Sequence, residues 1–134
     1  MPNFGKESLA QLATCDKRLQ VVMKEVIKIF DFTVLEGHRG EVAQNKAFNK
    51  GLSKVRWPNG NHNSIPSLAV DIAPYPIDWS DKLKAQLRFA YLAGHVMSTA
   101  RRLDIKLRWG GDWNRNQDSR DESFLDLPHF EIDE

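Results

Sequence analysis

The chain has a single cysteine, Cys15, in 134 residues. No intramolecular disulfide can form, and a structural metal site built from paired cysteines is excluded. Long apolar runs are missing as well, and nothing approaches the ~20 residues of a membrane-spanning helix. The first residues, Met1-Pro2-Asn3-Phe4-Gly5-Lys6, lack the charged-then-apolar layout of a secretory leader. The expectation is a protein made and folded in the cytoplasm, with no stable membrane insertion. Excess charge is also absent: the net value is +1 with histidines neutral. That balance argues against a dedicated polyanion binder, so no nucleic-acid partner is expected. No repeat, low-complexity tract or linker divides the sequence. It reads as one domain over residues 1–134, expected to be a monomer.

What is present suits a folded domain. Apolar residues make up 41% and charged residues 28%, and the length suffices to bury a core without covalent staples. The charges are unevenly spread. Lys46, Lys50, Lys54 and Arg56 form one basic stretch; Arg101, Arg102, Lys106 and Arg108 form another. From Asp121 to Glu134 there are six acidic residues and no Lys or Arg. Solvated surface is the common explanation for such runs.

Periodicity gives the elements. Ser8-Leu9-Ala10-Gln11 reads as a capping box at the start of a short helix. Asp16 can cap a second helix, on which Leu19, Val22, Met23, Val26, Ile27 and Phe30 form one apolar stripe. Asp31 to Leu35 reads as a strand, and Glu41 to Lys50 as a helix ended by Gly51. A long polar loop, Leu52 to Ser67, carries His62. In the strand Leu68 to Ala73, alternation puts Ala69, Asp71 and Ala73 on one side, Val70 and Ile72 on the other. Asp78 or Ser80 caps the longest helix, about Asp81 to Leu103. Leu83, Leu87, Ala90, Tyr91 and Gly94 mark one face of it, and Phe89, Leu92 and Val96 a second. Apolar on two sides, it reads as the central helix of the domain. Ile105, Leu107 and Trp109 alternate as a half-buried strand, and a last strand covers His129 to Ile132. The order implies an α+β domain with a small, mainly antiparallel sheet packed with helices.

Asp71 is the residue that packing alone explains least. An unpaired carboxylate between Val70 and Ile72 is costly to bury. A metal ion, an arginine partner or solvent on the open face of the sheet would each remove that cost. His62 taken alone fits a surface histidine, and His129 a structural one at a strand start. Together with Asp71 they make a ligand set of two imidazoles and one carboxylate. Such a set fills three of zinc's four tetrahedral positions and leaves one for chemistry. His38 and His95 stay outside it. Asp112, Asp118, Asp121 and Glu122 share a loop without the spacing of a calcium hand, and read as a solvated acidic loop.

The motifs in order carry a resemblance. Gly37-His38-Arg39 has Gln44 five residues after the arginine. There follow His62-Asn63-Ser64-Ile65-Pro66-Ser67-Leu68-Ala69-Val70-Asp71, Trp109-Gly110-Gly111-Asp112-Trp113 and Asp126-Leu127-Pro128-His129. From about residue 30 to the end, the chain resembles the zinc D-alanyl-D-alanine carboxypeptidases. It resembles as well their relatives, the L-alanyl-D-glutamate endopeptidases of phage lysis enzymes. Its gap of nine from His62 to Asp71 exceeds the family's common spacing by Pro66-Ser67. Asp126 stands where the family commonly has Glu, one methylene longer.

The resemblance implies the fold shared by Hedgehog domains and DD-peptidases. It implies Zn²⁺ held by His62, Asp71 and His129, with Asp126 as general base and Arg39 stabilising negative charge on the substrate. Glu131 is the other candidate base, and Gln44 a positioning or packing residue. Either tryptophan can wall the cleft or pack the core. The implied substrate is the stem peptide of bacterial peptidoglycan, cut between L-Ala and D-Glu by a phage-type endolysin that reaches the wall after a membrane breach. Release of terminal D-Ala is the alternative within the same chemistry, and a non-catalytic wall-peptide-binding module is the alternative of another class.

Overall fold

The computed structural model describes residues 2–134. Four short strands, β1 (Phe32–Glu36), β2 (Ala69–Pro74), β3 (Leu107–Trp109) and β4 (His129–Ile132), pair antiparallel in the order β1-β2-β4-β3. Alternation along each strand separates the faces. Val34 pairs with Ile72, Val70 with Phe130 and Ile132 with Leu107, and all six side chains are buried on one side. Two helices, α2 (Lys17–Val26) and α4 (Lys82–Arg102), cover that side. They contribute Leu19, Val22, Met23 and Val26 from α2, and Leu92 and Val96 from α4. Each such side chain adds roughly 1.5–3 kcal/mol by leaving water. The other face of the sheet is polar and carries the site described below. A short α1 (Lys6–Leu12) packs on β1, and α3 (Glu41–Asn49) follows it in the chain. No helix among the described residues is long and apolar enough to cross a membrane.

Three sequence readings change. Ser8 does not cap α1, which begins at Lys6 after Gly5. Ser8 lies inside the helix, buried, and its Oγ accepts the Val34 N–H at 3.0 Å. β1 is an edge strand, so its outward N–H needs a partner from another element. The cap of α4 is Asp81, whose side chain accepts the Lys84 N–H at 3.1 Å; Asp78 instead closes a turn with Ser80. Finally, α4 is buried on one face rather than two. Phe89, Leu92 and Val96 face the core, while Leu83, Leu87 and Tyr91 are about two-thirds exposed. No element covers that outer side, because the small sheet supports only one layer of helices.

Candidate active site

Register brings the site together. Asp71 on β2 pairs directly with His129 on β4, so both side chains leave the sheet on its polar face. An irregularity between Val34 and Glu36 shifts β1 and places Glu36 opposite Asp71 on that face. One step along, Glu131 pairs with Arg108 on β3. The face therefore carries two rows, Glu36–Asp71–His129 and Ala69–Glu131–Arg108.

His62 arrives from the loop on a 3-10 turn, Asn61–Asn63. The loop that contains Pro66-Ser67 closes next to His62. Leu68 N–H donates to the Asn61 carbonyl at 2.9 Å, closing the loop, while Ile65 points into solvent. Gly37 holds the other side of the His62 ring: its carbonyl accepts from Nδ1 at 2.7 Å. A side chain on Gly37 would collide with Thr14 and the Gln11 carbonyl, so only glycine lets the strand approach α1 this closely.

His62 Nε2 and His129 Nδ1 stand 3.2 and 3.3 Å from the same oxygen, Oδ1 of Asp71. One ligand atom from each residue falls within 4.8 Å of the others. Each imidazole has its remaining nitrogen occupied, His62 by the Gly37 carbonyl and His129 by Glu131 at 2.7 Å. The inward nitrogens are thus the ones left for a metal, and the outer partners fix both rings. Two imidazoles and a carboxylate are a fitting donor set for a divalent transition metal.

The two candidate bases stand differently. Glu131 is buried, accepting from His129 Nε2 with one oxygen and from Arg108 with the other, at 3.1 Å from Nε and 2.6 Å from Nη2. Burial would raise its pKa, but the bonds from His129 and Arg108 outweigh that and pull it down to about 2. Asp126 accepts no hydrogen bond on its side chain among the described residues. Its carboxylate lies 3.9 Å from His129 Nδ1 and borders the cleft. Burial and then the charge of Asp71 raise its pKa. Burial also lowers that of His129, but bonds to Asp71 and Glu131 overcome it and lift the imidazole to about 9. Asp71 is held below the usual carboxylate range: its burial is outweighed by the two histidines.

Gly110 sets the position of Asp126. Its N–H donates to the His129 carbonyl and its own carbonyl accepts the Asp126 N–H, both at 2.8 Å. Any side chain at Gly110 would strike the Asp126 carbonyl oxygen.

Arg39 is half-buried against the same face. Its guanidinium reaches Glu36, Gln44 at 3.2 Å and the second oxygen of Asp71 at 3.4 Å. Gln44 is almost wholly buried and uses its amide completely. The oxygen accepts from Arg39 and Asn63; the nitrogen donates to Ser53 Oγ and the Val55 carbonyl. It ties Arg39 to the His62 turn and to the loop that rims the cleft. That cleft has a volume of about 490 Å³, and Lys54, Trp113 and Phe124 line it beside the histidines. The tryptophans divide the two readings: Trp113 lies 5.4 Å from the His129 ring on the cleft side, whereas Trp109 stacks on Phe130. His38 and His95 stand apart from the ligand set. Asp118 pairs with Arg120, and Asp121 accepts from Asn114 and Asn116.

Sequence reasoning did not assign Glu131 its place against the His129 ring, nor give Asn63 a role. The histidine two residues before Glu131 on one strand was the available signal.

The model of the phage L-alanyl-D-glutamate peptidase family matches residues 2–132. The L-alanyl-D-glutamate peptidase of Escherichia phage T5 is 38% identical over 126 residues, covering 89% of this chain and 87% of that protein. The crystal structure of Serratia marcescens L-Ala D-Glu endopeptidase ChiX superimposes with a TM-score of 0.72 at 23% identity. It covers 98% of this chain and 90% of that one, which supports the α+β fold.

Proposed function

The chain belongs to the phage L-alanyl-D-glutamate peptidase family, and from that premise we infer that it hydrolyses the L-alanyl-D-glutamate bond of the peptidoglycan stem peptide as a phage-type endolysin. The observation that carries this reading is the convergence of His62, Asp71 and His129, with both histidines and an uncommitted Asp126 lining one cleft.

Zn²⁺ is the metal we assign to the three ligands, since two imidazoles and one carboxylate suit it and leave one position open. When bound, it supplies Lewis acidity that polarises the scissile carbonyl and lowers the pKa of a water toward about 7. Asp126 accepts the proton of the attacking water. Its raised pKa then favours handing that proton to the leaving amine of D-Glu. The Asp126 N–H donates to the Gly110 carbonyl at 2.8 Å, which fixes the backbone that carries this shorter side chain. Arg39, whose guanidinium is held by Glu36 and Asp71 and lines the cleft, supplies donors where negative charge develops on the substrate carbonyl. Glu131, bonded on both oxygens, orients His129 instead of acting as base. Acting as a monomer, the protein reaches the wall from the cytoplasm after the membrane is breached.

Incubation with purified peptidoglycan, with and without a chelator, tests the reading. New D-Glu amino termini, seen by mass spectrometry and abolished by the chelator, are expected. Release of free D-Ala would make the enzyme a carboxypeptidase. No cleavage by a zinc-loaded sample would leave a wall-peptide-binding module.

A further inference from the structure

The outer face of α4 has no role in the site, and among the described residues no helix or strand covers it; Phe30 stacks on Tyr91 at its edge, with ring centroids 5.8 Å apart. Leu83, Leu87 and Tyr91 recur on it one helical turn apart, exposed by 65%, 61% and 68%. Ala90 and Gly94, exposed between them, leave the stripe free of polar side chains. The sequence of α4 contains five cations, Lys82, Lys84, Arg88, Arg101 and Arg102, and no Asp or Glu. None of the five forms an ion pair among the described residues. Helical spacing sets Lys84 and Arg102 along one flank of the stripe and Arg101 at its C-terminal end. The neighbouring carboxylates are Asp78 and Asp81 before the helix, Asp104 after it and Glu25 on α2, the last paired with Lys28.

An exposed apolar stripe bordered by unpaired cations is complementary to a surface that is both greasy and negative. We propose that the outer face of α4 docks the protein on an anionic phospholipid bilayer, with Leu83, Leu87 and Tyr91 entering the headgroup boundary and the flanking Lys84, Arg101 and Arg102 meeting lipid phosphates. The helix is already folded on the sheet, so docking carries no cost of ordering it, unlike a free amphipathic peptide. Charge complementarity favours lipid over a second copy of the chain, because two such faces would bring cations against cations. The placement also leaves the site free. α4 covers the sheet face of Val70 and Ile72, while Asp71 and His129 project from the opposite one. A molecule docked in this way holds its cleft away from the membrane, toward the polymer.

The experiment is sedimentation of the zinc-loaded protein with vesicles of phosphatidylglycerol mixed into phosphatidylcholine, and with phosphatidylcholine alone. The wild type should partition onto the mixed vesicles, weakly onto the neutral ones, and less as salt rises. The double variant Leu83→Ser, Leu87→Ser should lose roughly tenfold or more in partition, given the apolar area withdrawn from the lipid. Both positions are exposed, and retained hydrolysis of peptidoglycan fragments in solution confirms that the variant is folded. Absence of wild-type binding to mixed vesicles overturns the proposal. So does binding that the double variant retains in full, which would place the contact on another basic surface. A concentration-dependent dimer that the double variant dissolves, with no vesicle binding, would assign the face to a second copy instead.

Discussion

At His129 the two candidate bases meet different nitrogens. Glu131 takes Nε2 at 2.7 Å and is itself gripped by Arg108, whereas Asp126 stands 3.9 Å from Nδ1 with its side chain uncommitted. The two substitutions should therefore separate metal binding from turnover. Glu131→Gln keeps an acceptor near Nε2 but removes the charge that orders the ring and leaves Arg108 unmatched. Zinc affinity, read by competition with a chromogenic chelator, should fall about 10–100-fold. Asp126→Ala touches neither ring's outer bond. It should bind zinc as the wild type does and lose about 10²–10⁴-fold in kcat on a stem-peptide substrate. Full turnover by Asp126→Ala would remove Asp126 from the base role.

Elements decide how accurately those side chains meet. Gly110 is where the end of β3, the Asp126 backbone and the start of β4 are clamped by two hydrogen bonds. Gly110→Ala should push the Asp126 segment outward, costing about 1–3 kcal/mol in denaturant unfolding. Its larger effect should be on kcat, with zinc affinity changed little, since neither histidine is bonded through its side chain to Gly110. At the far edge, Ser8→Ala leaves the Val34 N–H without its partner and should cost about 1–3 kcal/mol in the same assay. The contrast also shows what was legible in the sequence. The stripe on α2 and the strand faces around Asp71 followed from period, because each depends on neighbours along the chain, whereas the ligand set of His62, Asp71 and His129 was implied by the resemblance. The pairing of Glu131 with Arg108, the clamp at Gly110 and the bond from Val34 to Ser8 depend on which strand lies beside which. Alternation assigns a side chain to a face and leaves its cross-strand partner open. The exposed stripe of α4 was visible as apolar spacing, but whether a layer covers it depends on the number of elements in the fold.

For the whole molecule, the polar face couples stability to pH and to metal. In the metal-free protein the His129 pKa of about 9 exceeds its ordinary 6.5. The stability this contributes is complete below 6.5 and is lost as pH rises through 9. Glu131, at about 2 against an ordinary 4.5, contributes stability that is complete above 4.5 and is lost as pH falls through 2. Asp71, also lowered, adds to the acid-side loss. Asp126, whose pKa is raised, opposes it in part, since its cost is incurred as pH rises out of the acid range. The metal-free protein should thus be most stable between about pH 4.5 and 6.5, and its Tm should fall from there to pH 9. The zinc proposed for the three ligands should change the alkaline side. A metal on Nδ1 of His129 displaces the proton responsible for the raised pKa, so metal affinity climbs over the pH range in which the proton is lost. At a free metal concentration 100 times Kd, binding adds about 2.7 kcal/mol. Calorimetric scans at constant free zinc should therefore show the decline between pH 6.5 and 9 abolished or reversed, and His129→Ala should remove the zinc increment at every pH. Parallel Tm profiles with and without zinc would mean that His129 Nδ1 keeps its proton and that the metal lies elsewhere.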